Sequence, residues 1–93
     1  MSERIEVSPH GPGAYAVAVT EGTETTHHVV AVPDELLGDL GVPADEAPRL
    51  VTESFKFLLE REPATSILGT FSLEQISDYF PEYREQIRLR VAG

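Results

Sequence analysis

The hydrophobic period of this chain changes once, at Pro33-Asp34, and that change limits the folds open to it. Before it, bulky apolar residues such as Tyr15, Val17 and Val19 occupy alternate positions, which is the period of strands with one face on a core. After it, apolar residues recur every three or four positions, which is the period of amphipathic helices. Because the strands come first and the helices follow, the order predicts an α+β fold.

Three strands are predicted before the change of period, over residues 4–8, 14–19 and 25–32. Proline and glycine separate the first two, and Glu21-Gly22-Thr23 forms the second turn. Connections this short favour antiparallel neighbours. The sequence therefore predicts a small three-stranded antiparallel sheet, built as a meander, at the N-terminal end of the chain.

Three or four helices are predicted after Pro33, packed on one face of the sheet. A short helix starts at Asp34 and ends at Gly38 or Gly41, and a long central helix covers about residues 45–62. Residues 64–70 are predicted to be a connector. Ser72 and Gln75 form a capping box that opens a helix up to Phe80. Pro81-Glu82 opens a last helix that passes through Ile87.

Composition excludes several classes of protein. With 93 residues and 41% hydrophobic residues, the chain suffices for one core and hence one domain. It has no cysteine, so disulfides, thiolate metal sites and thiol nucleophiles are excluded. A net charge of -9 argues against nucleic acid and anionic lipid as partners. The longest apolar run, residues 14–19, is far shorter than the ~20 residues of a membrane span, so we expect a cytoplasmic protein.

The histidines and acids give weak indications of chemistry. His27 and His28 are adjacent and point to opposite faces of a strand, so they cannot both coordinate one metal ion. His28 shares its face with Val30 and is either a pocket residue or a satisfied core histidine. Glu62 falls on the apolar side of the central helix and is a second pocket candidate. No serine and histidine show the pattern of a nucleophile with its base, so we predict no enzyme, cofactor or metal.

Tyrosine and arginine are enriched at protein interfaces, and they cluster near the C-terminal end of the chain. Tyr79 and Tyr83 lie beside Arg84, and this group is either a docking patch or the roof of a core centred on Phe80. The flat face of the second strand, formed by alanines, and the wide apolar arc of the central helix favour self-association. The candidate interaction or pocket residues are His28, Glu62, Tyr79, Tyr83 and Arg84.

Four short motifs stand in the second half of the chain: S-F-K-F-L-L-E-R-E-P at 54–63, S-I-L at 66–68, F-S-L at 71–73 and Y-F-P-E-Y at 79–83. Through these motifs, about residues 26–87 resemble a family of small bacterial conserved proteins of unknown function. Family members often carry an acidic residue where Ser72 stands, and either residue can cap a helix. The resemblance implies one shared structural unit and supplies no substrate, cofactor or catalytic residue.

These observations favour a non-enzymatic protein-interaction module that acts as a homodimer or as an accessory subunit of another protein. One alternative is a small enzyme or ligand-binding domain with His28, Glu62 and a tyrosine around a pocket between sheet and helices. Another is an acidic, antitoxin-like regulator that neutralises a basic partner.

Overall fold

The computed structural model describes residues 3–92 and contains one four-stranded sheet. The strands are β1 (Glu3–Gly11), β2 (Ala14–Glu21), β3 (Glu24–Ala31) and β4 (Thr70–Ser72), and they are ordered β1-β2-β3-β4. The first three strands form an antiparallel meander, as the sequence predicts. The two hairpin loops contain Gly13 (φ 67°) and Gly22 (φ 62°), in the left-handed region that favours glycine.

Strand β4 was not predicted from the sequence, which indicated a connector up to Thr70. It pairs parallel with the end of β3, where Val30 lies opposite Phe71, and the N–H of Val29 donates to the carbonyl of Gly69 at 2.8 Å. Parallel neighbours need a long crossover between them, and here the first two helices supply it. A strand of three residues is too short to show a period of its own.

Four α-helices follow the meander: α1 (Asp34–Leu40), α2 (Ala47–Leu59), α3 (Ile76–Tyr79) and α4 (Tyr83–Ala92). Gly41, with φ 68°, ends α1. Helix α2 is shorter than the predicted 45–62. The first residues of the predicted span form a separate 3₁₀ turn, Ala44–Glu46. After Leu59 the N–H groups of Arg61 and Glu62 both donate to the carbonyl of Leu58, which ends the helix. The predicted capping box forms in full, with Ser72 and Gln75 opening a 3₁₀ turn that leads into α3.

The helices cover one face of the sheet, which confirms the predicted α+β fold. Odd-numbered β2 residues and even-numbered β3 residues face the core, where Val17, Val19 and Val30 are buried in one cluster with Phe55 and Leu58 of α2. The opposite face carries exposed His27 and half-buried Ala16 and Ala18. No helix among residues 3–92 is long and apolar enough to cross a membrane.

Helix α4 is held by two buried side chains and by ion pairs at its flanks. Tyr83 and Ile87 reach the core, while Arg84 donates to the Asp39 carboxylate at 2.7 Å. Arg90 donates to the Glu60 carboxylate at 2.6 Å. Exposed ion pairs are worth little individually, so the two buried side chains supply most of the attachment.

Candidate functional site

An apolar groove of about 200 Å³ opens where the end of α2, the turn Ala64–Ser66, β4 and α3 meet. Its floor is formed by core side chains, and its rim is formed by exposed apolar and polar ones. The lining residues are Leu58, Glu62, Ser66, Ile67, Leu68, Phe71, Gln75, Ile76, Tyr79 and Phe80.

Two large apolar side chains of the groove are open to solvent. Leu68 is 51% exposed and Tyr79 is 66% exposed, whereas Ile67, Phe71 and Ile76 beneath them are buried. The groove is smaller than the roughly 300–1,000 Å³ typical of small-molecule sites. A groove of this size has room for one or two side chains.

His28 fixes the segment that carries Leu68. Its ring is 4% exposed, and Nδ1 lies 2.8 Å from the carbonyl oxygen of Leu68. Because a carbonyl only accepts, Nδ1 carries a proton, and Nε2 forms a hydrogen bond of 2.9 Å with the Thr26 hydroxyl. The ring packs against Phe55 with centroids 5.3 Å apart. His28 is thus a core residue that positions the rim of the groove from below.

Replacing His28 with leucine is expected to destabilise the protein by about 1–3 kcal/mol, because the Leu68 carbonyl and the Thr26 hydroxyl lose their partner. We also expect faster hydrogen exchange at the N–H of Val29, whose acceptor Gly69 follows Leu68. Chemical denaturation and amide exchange measure the two effects.

The matched control is His27→Leu, the same change at the exposed neighbour. It should stay within about 0.5 kcal/mol of the wild type. An equal loss of stability in the two variants would contradict the positioning role of His28.

Glu62 lies in the wall of the groove, in the turn that follows α2 and not on the longer helix that the sequence predicts. Its N–H donates to the carbonyl of Leu58 at 2.9 Å, which turns the chain out of α2. Within residues 3–92 its carboxylate makes no ion pair, whereas the neighbouring Glu60 binds both Arg61 and Arg90. These two cations hold the pKa of the Glu60 carboxyl below its usual value, chiefly through the hydrogen bond from Arg90.

The two tyrosines of the predicted patch are separated by the structure. Tyr79 lines the groove, but Tyr83 is 0% exposed, and its hydroxyl shares a hydrogen bond of 2.7 Å with the Ser54 hydroxyl. Burial raises the pKa of Tyr83 to about 12. The sequence pattern predicted that Tyr83 belongs to a docking patch or to a roof over Phe80. That interpretation is wrong, because buried Ser54 on α2 gives the hydroxyl a partner inside the core.

Arg84 also lies outside the groove, since it pairs with Asp39 near the end of α1. Of the five predicted residues, the groove therefore brings together Glu62 and Tyr79. The sequence analysis missed Leu68 and its neighbour Ile67. The sequence shows only that two apolar residues are adjacent in a segment that has no hydrophobic period. In the fold, Ile67 is buried and Leu68 is exposed.

The open face of the sheet forms a second, shallower concavity of about 480 Å³, whose lining includes His10 and His27. Across the part of the chain that the structure describes, no three histidine or acidic residues are placed to hold a metal ion.

Comparisons with protein families, with curated proteins and with solved structures find no match to this chain. The resemblance over residues 26–87 therefore stays a prediction.

Proposed function

We propose that this protein is a non-enzymatic interaction module that binds an apolar segment of another protein in the groove between α2, β4 and α3. The observation that carries the proposal is the exposure of Leu68 and Tyr79 in a groove that is also lined by buried Phe71 and Ile76. The partner's side chain would cover both and reach the buried floor formed by Phe71 and Ile76.

The distribution of exposed apolar side chains supports this site. The large apolar residues exposed in the described part of the chain are Leu68, Tyr79 and Leu89, and the first two share the groove. Single exposed apolar residues are ordinary on protein surfaces, but a pair around a concave apolar floor is typical of an interface. Tyrosine at such a place is a frequent source of binding energy.

The arrangement gives less support to a small enzyme or ligand-binding domain. Both ring nitrogens of His28 are occupied by Thr26 and Leu68, and the Tyr83 hydroxyl is occupied by Ser54. Glu62 and Tyr79 line the groove without His28. A general base must reach the proton that it abstracts, and these groups do not share one concave site.

A second candidate, the acidic regulator of a basic partner, is favoured by the charges. The cations Arg49, Lys56, Arg61, Arg84 and Arg90 already contact carboxylates of the same chain. The chain has 16 acidic residues and 7 basic ones, so most of its carboxylates have no cation of the same chain to pair with. These carboxylates, including that of Glu62 in the groove wall, would attract a cationic segment of a partner. Binding that weakens steeply with added salt would favour this candidate over a purely apolar contact.

Selection of peptides from a random display library against the wild-type protein tests the proposal. Selected peptides should lose at least about ten-fold in affinity for the L68S and Y79S variants, because each change removes apolar contact at the rim of the groove. L89S is the matched control, since Leu89 is 68% exposed but lies on α4, outside the groove. It should bind like the wild type.

Two results would overturn the proposal. One is a selection that yields no peptide whose binding depends on Leu68 or Tyr79. The other is an equal loss of affinity in L68S and L89S, which would indicate non-specific adhesion to exposed leucines. Repeating the measurement at low and high salt separates the two candidate functions.

A further inference from the structure

Strand β1 is an edge of the sheet, and the hydrogen bonds of the meander show which of its backbone groups face outward. The N–H of Val32 donates to Gly13 at 2.8 Å, and the N–H of Val29 donates to Gly69 on the other side of β3. Successive residues of a strand point their backbone groups to opposite sides, so odd-numbered β2 residues bond to β3 and even-numbered ones bond to β1.

The pairing of β1 with β2 carries this alternation to the edge. Arg4 lies opposite Thr20, and Glu6 lies opposite Ala18, so the backbone groups of Arg4 and Glu6 point toward β2. Those of Glu3, Ile5 and Val7 then point away from the sheet and have no partner strand within residues 3–92. An edge of this kind is a template for pairing with another strand.

We infer that two copies of this chain pair antiparallel through β1, with a two-fold axis at Ile5. Each Ile5 then exchanges both backbone hydrogen bonds with its counterpart, and each Glu3 does so with Val7 of the second copy. Arg4 lies directly opposite Glu6 of the second copy, and Glu6 opposite its Arg4. Opposite charges facing each other at these closely spaced positions favour the pairing.

Other antiparallel registers of the same edge are less favourable, because they place like charges or a proline in the pairing. A two-fold axis at Arg4 sets two guanidinium groups opposite each other, and an axis at Glu6 does the same with two carboxylates. An axis at Val7 places Ile5 opposite Pro9, which has no N–H to donate. The axis at Ile5 avoids all three defects.

On the side of the sheet that faces the helices, this edge also leaves apolar side chains partly exposed in a single copy. Ile5 and Leu59 are half-buried hydrophobic residues in a concavity of about 350 Å³ beside α2, whose other lining residues are Glu3, Thr52, Lys56 and Glu60. The axis at Ile5 would bring the two Ile5 side chains together, which removes apolar surface from water. Because β4 lies at the opposite edge of the sheet, both docking grooves stay open in the dimer. The dimer is thus a bivalent form of the module.

Sedimentation velocity of the full chain, from micromolar to millimolar protein, tests the register through its charges. The wild type should dimerise, and the R4E and E6R variants should each weaken the dimer at least about ten-fold, since two attractive pairs become repulsive. Mixing R4E with E6R should restore dimers, because the acidic edge of one then faces the basic edge of the other. E24R is the matched control at an exposed acid on β3 and should dimerise like the wild type.

The inference fails if the wild type remains a monomer at every concentration, or if R4E and E6R dimerise as well alone as when mixed. Arg4 and Glu6 are exposed, so these variants should fold, and circular dichroism verifies it. The result is independent of the groove: L68S should leave dimerisation unchanged, and R4E should leave the intrinsic affinity for a groove peptide unchanged.

Discussion

Replacing Phe57 with alanine is expected to lower the free energy of unfolding by about 3–5 kcal/mol. Phe57 is 0% exposed and lies where α2, the chain after α3 and α4 meet. Its ring centroid is 6.0 Å from that of Phe80 and 5.4 Å from that of Tyr83. The guanidinium carbon of Arg61 lies 3.7 Å from the same centroid, so the cation also loses its aromatic contact.

Denaturant unfolding measures this effect, with Leu89→Ala as the control for truncating an exposed apolar side chain. The control should change stability by less than about 0.5 kcal/mol. A loss below about 1 kcal/mol in the Phe57 variant would contradict the packing described above. Because Phe80 also lines the groove, the same variant should bind selected peptides more weakly even under conditions where it remains folded.

A second large effect is expected at alkaline pH, from the buried hydroxyl of Tyr83. Its pKa is raised from 10.0 to about 12 in the folded protein, chiefly by burial. A raised pKa means that the folded state holds the proton more tightly than the unfolded chain does. The contribution is fully present below pH 10 and is lost as the pH rises through 12, and it amounts to roughly 2–3 kcal/mol.

Denaturant unfolding at a series of pH values from neutral to alkaline measures this loss as the difference between the wild type and Tyr83→Phe. The variant should be less stable at neutral pH by about 1–3 kcal/mol, because the buried Ser54 hydroxyl loses its partner. It should also show a shallower decline above pH 10. Tyr79→Phe, at a residue that is 66% exposed, should keep the wild-type decline. Parallel curves for the wild type and Tyr83→Phe would refute the assignment.

Much of the fold could be predicted because its signals are local. The alternation around Val17 and the turn glycine Gly22 predict the meander, and the box formed by Ser72 and Gln75 predicts the start of a helical turn. Strand β4 could not be predicted, since three residues carry no period and their partner lies far back in the chain.

The candidate site was less predictable than the fold. Glu62 was selected from its angle on a helix predicted up to residue 62, but α2 ends at Leu59, and the turn after the helix places Glu62 in the groove wall. The burial of Tyr83 was not predicted, because a tyrosine beside arginines is typical of a protein surface. Its hydrogen-bond partner Ser54 is also remote in sequence. Leu68 was missed because an apolar residue in a connector has no neighbours from which its exposure can be judged.

The sequence by itself determined the class of fold, the buried faces of β2 and α2, and the acidic charge. These follow from periods of two and about 3.6 residues, which depend only on near neighbours along the chain. Only the tertiary structure decided that His28 and Tyr83 are satisfied core residues and that Leu68 and Tyr79 share one groove. Hydrogen-bond partners and groove walls come from segments far apart in sequence, and their approach depends on how the whole core packs.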